Sequence, residues 1–112
     1  HRMIEVSFYL SIEYGSPEMY TKVEELRAFL LKRMYRHFTV NRIYNKVEKI
    51  IPEMFDTFMR HYNMLPDDWQ IRVEQAGGLI DNVAQARIVC DYIAGMTDRY
   101  AIKEYDRLFN LN

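Results

Sequence analysis

A chain of 112 residues that is 49% hydrophobic, 14% aromatic and 28% charged has the length for one ordinary domain and the apolar content for a real core. Nine tyrosines, six phenylalanines and seven methionines exclude a disordered composition, and three prolines with four glycines exclude a collagenous or linker-like chain. A net charge of −1 excludes a general attraction to polyanions, so any affinity for phosphate has to come from local clustering.

The chain opens on His1-Arg2-Met3 rather than on an initiator methionine, as expected of one that is processed, tagged or cut from something longer. Residues 4–13 then alternate, with Ile4, Val6, Phe8, Leu10 and Ile12 on one side and polar residues or Tyr9 on the other. Period-2 alternation predicts a short half-buried strand, paired either with Trp69, Ile71 and Val73, which also alternate, or with another chain. Ser16-Pro17-Glu18 reads as an N-cap, a first-turn proline and a first-turn acid. The apolar spacing behind it, Met19, Val23, Leu26, Leu30 and Met34, predicts an amphipathic helix to about Phe38.

Thr39 can cap a second, long helix carrying Ile43, Val47, Ile50, Ile51, Met54, Phe55, Phe58 and Tyr62. Its periodicity keeps phase through Pro52, which predicts one helix kinked near Lys49 rather than two. Met64 to Gly78, with Pro66-Asp67-Asp68 and Gly77-Gly78, reads as a loop or a short strand, the glycines giving a flexible entry to the third helix. Asp81 opens that helix, which runs through Ala94. Gly95 ends or bends it, at a turn where a Cβ is expected to clash, and Thr97 caps a last helix with Asp98 at its positive end. The expected fold is mainly α, a single domain over 1–112 of about four amphipathic helices, with room for the N-terminal strand.

Chemistry-bearing motifs are sparse. His1, His37 and His61 lie far apart, with neither a His-Asp dipeptide nor a Glu-x-x-His spacing, so no metal site is expected in this chain. Cys90 cannot form an internal disulfide and sits in an apolar helical pattern, the place of a small core residue in a reducing cytoplasm. No apolar run approaches the roughly 20 residues that cross a bilayer, so no membrane partner is expected. One cluster departs from charge balance: Lys32, Arg33, Arg36, Arg42, Lys46 and Lys49 face a single acid, Glu48, between positions 32 and 49. It reads either as a solvated face or as a surface for a nucleotide triphosphate or single-stranded nucleic acid, with Arg36, Arg42, Lys46 and Lys49 as phosphate candidates. Tyr35, Phe38 and Tyr44 lie among these cations, where they could stack on bases or pack in the core.

The run Asp91-Tyr-Ile-Ala-Gly-Met-Thr-Asp-Arg-Tyr-Ala101, within Val89 to Phe109, closely resembles the C-terminal end of bacterial deoxyguanosine triphosphate triphosphohydrolases of the HD superfamily. The stretch from about Glu24, with Phe29-Leu30, Tyr35-Arg36-His37 and Leu65-Pro66, is similar to the same HD-associated region. The resemblance implies a parent enzyme that cleaves dGTP, or another dNTP, to the nucleoside and inorganic triphosphate. It implies a divalent metal, Mg or Mn, held by a histidine, a His-Asp pair and a further aspartate in a catalytic HD domain. None of those ligands can be placed on this chain. The resemblance therefore implies a C-terminal piece that supports the HD domain and assembly and is inactive alone. Cysteine usage points to the cytoplasm, and the alternating residues 4–13 with the surplus aromatics point to burial against another subunit in a homo-oligomer. Asp91, Tyr92, Asp98, Arg99 and Tyr100 are its candidates for touching a nucleotide or the catalytic domain, and the alternative is a stand-alone helical module that binds nucleotide or nucleic acid through residues 32–49.

Overall fold

The computed structural model describes residues 16–38 and 44–109, and the side chains of all of these except 37, 38 and 44–47. They form five α-helices and one 3-10 turn, with no strand among the described residues: α1 (Pro17–Phe38), α2 (Tyr44–Arg60), the turn Tyr62–Met64, α3 (Asp67–Gln75), α4 (Asn82–Ala94) and α5 (Asp98–Phe109). The alternating segment 4–13 and the cap expected at Thr39 lie outside the described residues.

Helix α1 begins where its cap chemistry says, with the Met19 amide donating to Ser16 Oγ at 3.1 Å. Its apolar stripe buries Val23, Leu30 and Met34. Helix α2 runs through Pro52 as a single element, matching the unbroken phase of its apolar residues. It contributes Ile50, Ile51, Met54, Phe55, Phe58 and Met59 to the core. Helix α1 packs on α2 and α4, and α2 also packs on α4 and α5. Three polar ties fix these packings. Arg27 forks onto the Asp56 carboxylate at 3.0 and 3.2 Å, joining α1 to α2. Tyr105 donates to Glu53 at 2.6 Å, joining α5 to α2. Buried Gln85 donates its amide to the Phe58 and Met59 carbonyls at 3.1 and 2.9 Å, seating α4 on the end of α2.

Residues 64–78 depart from the expected loop or strand. Asp67–Gln75 is a helix, with two acids in its first turn behind Pro66. Trp69, Ile71 and Val73 therefore offer no strand edge. Val73 is fully buried, Trp69 is half-buried one turn earlier, and Ile71 is 49% exposed on the other side, which is helical spacing. Three alternating residues cannot separate the two periods, and the acids after a proline are the better signal.

The two glycines after α3 are not merely a flexible entry. Gly77 adopts φ +80°, and a Cβ on Gly78 would stand 2.7 Å from Val73 Cγ1. The turn therefore closes tightly on α3. Gly95 corrects the opposite expectation: its φ is −83° and an added Cβ would meet nothing nearer than 3.5 Å, so the turn there does not require glycine. Asp81 caps α4 as expected, accepting from the Val83 and Ala84 amides at 3.0 and 3.3 Å.

Candidate functional site

The segment 91–101 folds as the end of α4, a short connection and the start of α5. Gly95 N donates to the Asp91 carbonyl, and Thr97 Oγ1 caps α5 by accepting from the Tyr100 amide at 3.1 Å. This hairpin brings Tyr92 and Tyr100 face to edge, with ring centroids 6.5 Å apart. Tyr92 is buried, its ring also against Phe58 at 5.6 Å and Trp69 at 5.1 Å. Its hydroxyl donates to Glu104 Oε2 at 2.8 Å and lies 3.1 Å from the Tyr100 hydroxyl.

Glu104 is one of two buried polar residues of the described chain, the other being Gln85. Its carboxylate is gripped by the Arg107 fork, whose Nη2 lies 2.9 Å from Oε2 and also donates to the Met64 carbonyl at 2.9 Å. Burial works against the charge on Glu104, yet the Arg107 and Tyr92 hydrogen bonds outweigh it and hold the carboxyl below its ordinary value. The Tyr92 phenol is pushed well upward by burial first and by its bonds to Tyr100 and Glu104 second, so it is a standing donor at neutral pH. No buried side-chain donor or acceptor among the described residues lacks a partner. The network thus rigidifies the hairpin.

Over this network lies a shallow cleft of about 270 Å³ lined by Trp69, Asp91, Tyr92, Gly95, Met96, Thr97 and Tyr100. The Arg72 guanidinium sits 4.2 Å above the Trp69 ring. Of the five candidates in the signature, Asp91 and Tyr100 line this cleft from exposed positions and Tyr92 forms its buried wall. Asp98 is half-buried and accepts from the Arg99 amide at the helix start, while the Arg99 side chain is exposed outside the cleft lining. Glu104 and Arg107, which organise the cleft from behind, are not singled out by the sequence reading. Their i, i+3 spacing with opposite charge is the available signal.

The basic candidates fall elsewhere. Lys32, Arg33 and Arg36 are exposed on the last turns of α1, and Lys49 is exposed on α2. Arg42 and the side chains of Lys46, Phe38 and Tyr44 lie outside the described residues. With Phe29, Met34 and Ala94, the three α1 cations line a groove of about 590 Å³. Phe29 itself is 66% exposed, off the apolar stripe of Val23, Leu30 and Met34 that faces the core. Among the described residues no group of three or more His, Cys, Asp or Glu side chains converges in a way that could hold a metal ion.

Comparison with known proteins agrees with the signature. Residues 14–107 match the model of the phosphohydrolase-associated domain, so the chain belongs to that family. A protein of Caulobacter sp. (strain K31) named deoxyguanosinetriphosphate triphosphohydrolase-like is 44% identical over 97 residues, covering 87% of this chain and 24% of that protein. Proteins of the same name from Geobacter metallireducens and Bordetella parapertussis are 39% and 42% identical over 94 and 90 residues, covering 84% and 80% of this chain and 23% and 21% of theirs. The chain thus spans about a quarter of the length of these curated relatives. No solved structure matches. No helix among the described residues is long and apolar enough to cross a membrane.

Proposed function

We propose that this chain is the helical accessory region of a dNTP triphosphohydrolase that converts dGTP and water to deoxyguanosine and triphosphate, and that it braces the catalytic HD domain without performing the chemistry. The observation that supports this reading is the family match over residues 14–107 together with relatives, named as dGTP triphosphohydrolase-like, of which it spans about a quarter. The chemistry of the parent needs a divalent ion, Mg or Mn, to activate water and polarise a phosphate. The sequence has no His-Asp pair, and among the described residues no set of ligands comes together, so no ion is drawn onto these residues. In this reading the ion and the dNTP belong to a catalytic domain outside these 112 residues, and no step is drawn through Asp91 or Asp98.

In this role the hairpin of α4 and α5 is the contact element. Asp91, Arg99 and Tyr100 present exposed groups on its rim, and the Tyr92 hydroxyl, held by Glu104, bonds the Tyr100 hydroxyl from inside. The coding sequence immediately upstream of His1 tests the assignment. A histidine, a His-Asp pair and a later aspartate in helical context are expected there, and their absence would remove the parent enzyme class.

A further inference from the structure

We propose that the cleft at the turn of the α4–α5 hairpin receives an arginine side chain presented by the catalytic domain of the same polypeptide. This rests on the accessory reading above and names what the hairpin grips. The cleft holds about 270 Å³, below the roughly 300–1,000 Å³ of small-molecule pockets, so it fits one inserted side chain. Its walls are the rings of Trp69, Tyr92 and Tyr100. Among the described residues that line it, Asp91 is the one Asp, Glu, Lys or Arg.

Asp91 sits where its own helix disfavours it. It lies in the last turn of α4, which carries no basic residue, so a carboxylate stands at the negative end of the helix dipole. The residue is exposed, and no cation among the described residues is bonded to it. Arg72 is held instead over the Trp69 ring at 4.2 Å and does not line the cleft. An incoming cation satisfies both the carboxylate and the end of α4. The rings favour the same charge. Trp69 already holds one guanidinium, and Tyr100, 43% exposed, offers a second ring. The Tyr92 hydroxyl donates to the Glu104 carboxylate at 2.8 Å, which enriches the ring behind it in electrons and strengthens its pull on a cation.

Other occupants answer fewer of these features. An apolar side chain would cover Asp91 and leave its charge buried without a partner. A nucleotide would set its phosphates against the same carboxylate. An ammonium matches the charge, but a planar guanidinium stacks on a ring while it forks onto a carboxylate.

Trp69 is the one tryptophan of the 112-residue chain, so its fluorescence reads the cleft directly. Titrating this chain with the blocked peptide acetyl-Gly-Arg-Gly-amide should shift Trp69 emission saturably, whereas acetyl-Gly-Gln-Gly-amide should not. Asp91→Asn should weaken the arginine peptide at least about fivefold, the difference between a charge-assisted and a neutral hydrogen bond. In the 112-residue chain Asp91→Asn should not lower the melting temperature, since it relieves the end of α4. In the whole polypeptide it should lower it, because the inserted arginine loses its partner. The proposal is overturned if the arginine peptide leaves Trp69 emission unchanged, if the glutamine peptide binds equally, if Asp91→Asn binds as the unsubstituted chain does, or if Asp91→Asn melts the whole polypeptide no lower. A whole polypeptide that releases triphosphate from dGTP yet shows that last result overturns the arginine site alone and leaves the accessory reading standing.

Discussion

Replacing Glu104 by Gln removes one charge from the centre of the α4–α5 hairpin while keeping the side chain's size. In the unsubstituted protein Glu104 accepts from both Arg107 nitrogens and from Tyr92. The amide introduced by Glu104→Gln would instead turn a donor toward Arg107 or lose the Tyr92 bond. Hydrogen bonds to a buried charge contribute about 1.5–3 kcal/mol. Arg107 is 48% exposed, so solvent screening takes the lower part of that range, about 2 kcal/mol. For a domain of this size that is a fall of about 8 °C in melting temperature, read by circular dichroism at neutral pH. Tyr92→Phe, which deletes only a hydroxyl, should lower it by about half as much. Because the folded-state pKa of Glu104 lies below the ordinary carboxyl value of 4.5, its stabilisation is present above that value and is lost as pH falls through the lower, folded one. The gap between the unsubstituted protein and Glu104→Gln should therefore narrow only below about pH 4.5. Equal melting temperatures at neutral pH, or a gap that does not narrow in acid, would refute the network.

Three further outcomes concern single residues. Gly78→Ala should destabilise by about 1–3 kcal/mol in urea unfolding, since its Cβ would stand 2.7 Å from Val73 Cγ1 and 3.0 Å from the Val73 carbonyl oxygen. Gly95→Ala, where the nearest atom is 3.5 Å away, is the tolerated control. Asp81→Ala removes the cap of α4 and should cost about 1 kcal/mol, read in the same unfolding assay. Cys90, whose thiol is pushed up to about 12 by burial and then by the Asp91 charge, should alkylate with iodoacetamide about a hundredfold or more slowly than an open thiol near pH 8.

The boundaries of α1, α4 and α5 can be read from the sequence because each carries local signals that tertiary packing does not override: Ser16-Pro17, Asp81 and Thr97 as caps, with apolar residues at 3.6 spacing behind them. Helix α3 is hidden because only Val73 of its nine residues is fully buried, so it has almost no apolar stripe to detect. The two glycine positions mislead for one reason. Whether a Cβ fits depends on what packs opposite, Val73 for Gly78 and nothing close for Gly95, and that is tertiary information. Within the candidate site, the signature locates the hairpin but not its support. Tyr92 reads as a group free to reach a ligand because a tyrosine can face either way, and its inward setting comes from tertiary neighbours, the Phe58 and Trp69 rings and the Glu104 carboxylate.

The central proposal is that these residues support a triphosphate-releasing enzyme and do not themselves catalyse. Its most direct test measures inorganic triphosphate released from dGTP with Mg²⁺ or Mn²⁺, by the whole polypeptide that carries this chain and by residues 1–112 alone. Release by the whole protein and none by residues 1–112 is the predicted result. Triphosphate released by residues 1–112, free of contaminating phosphatase, or none released by the whole protein, would contradict it.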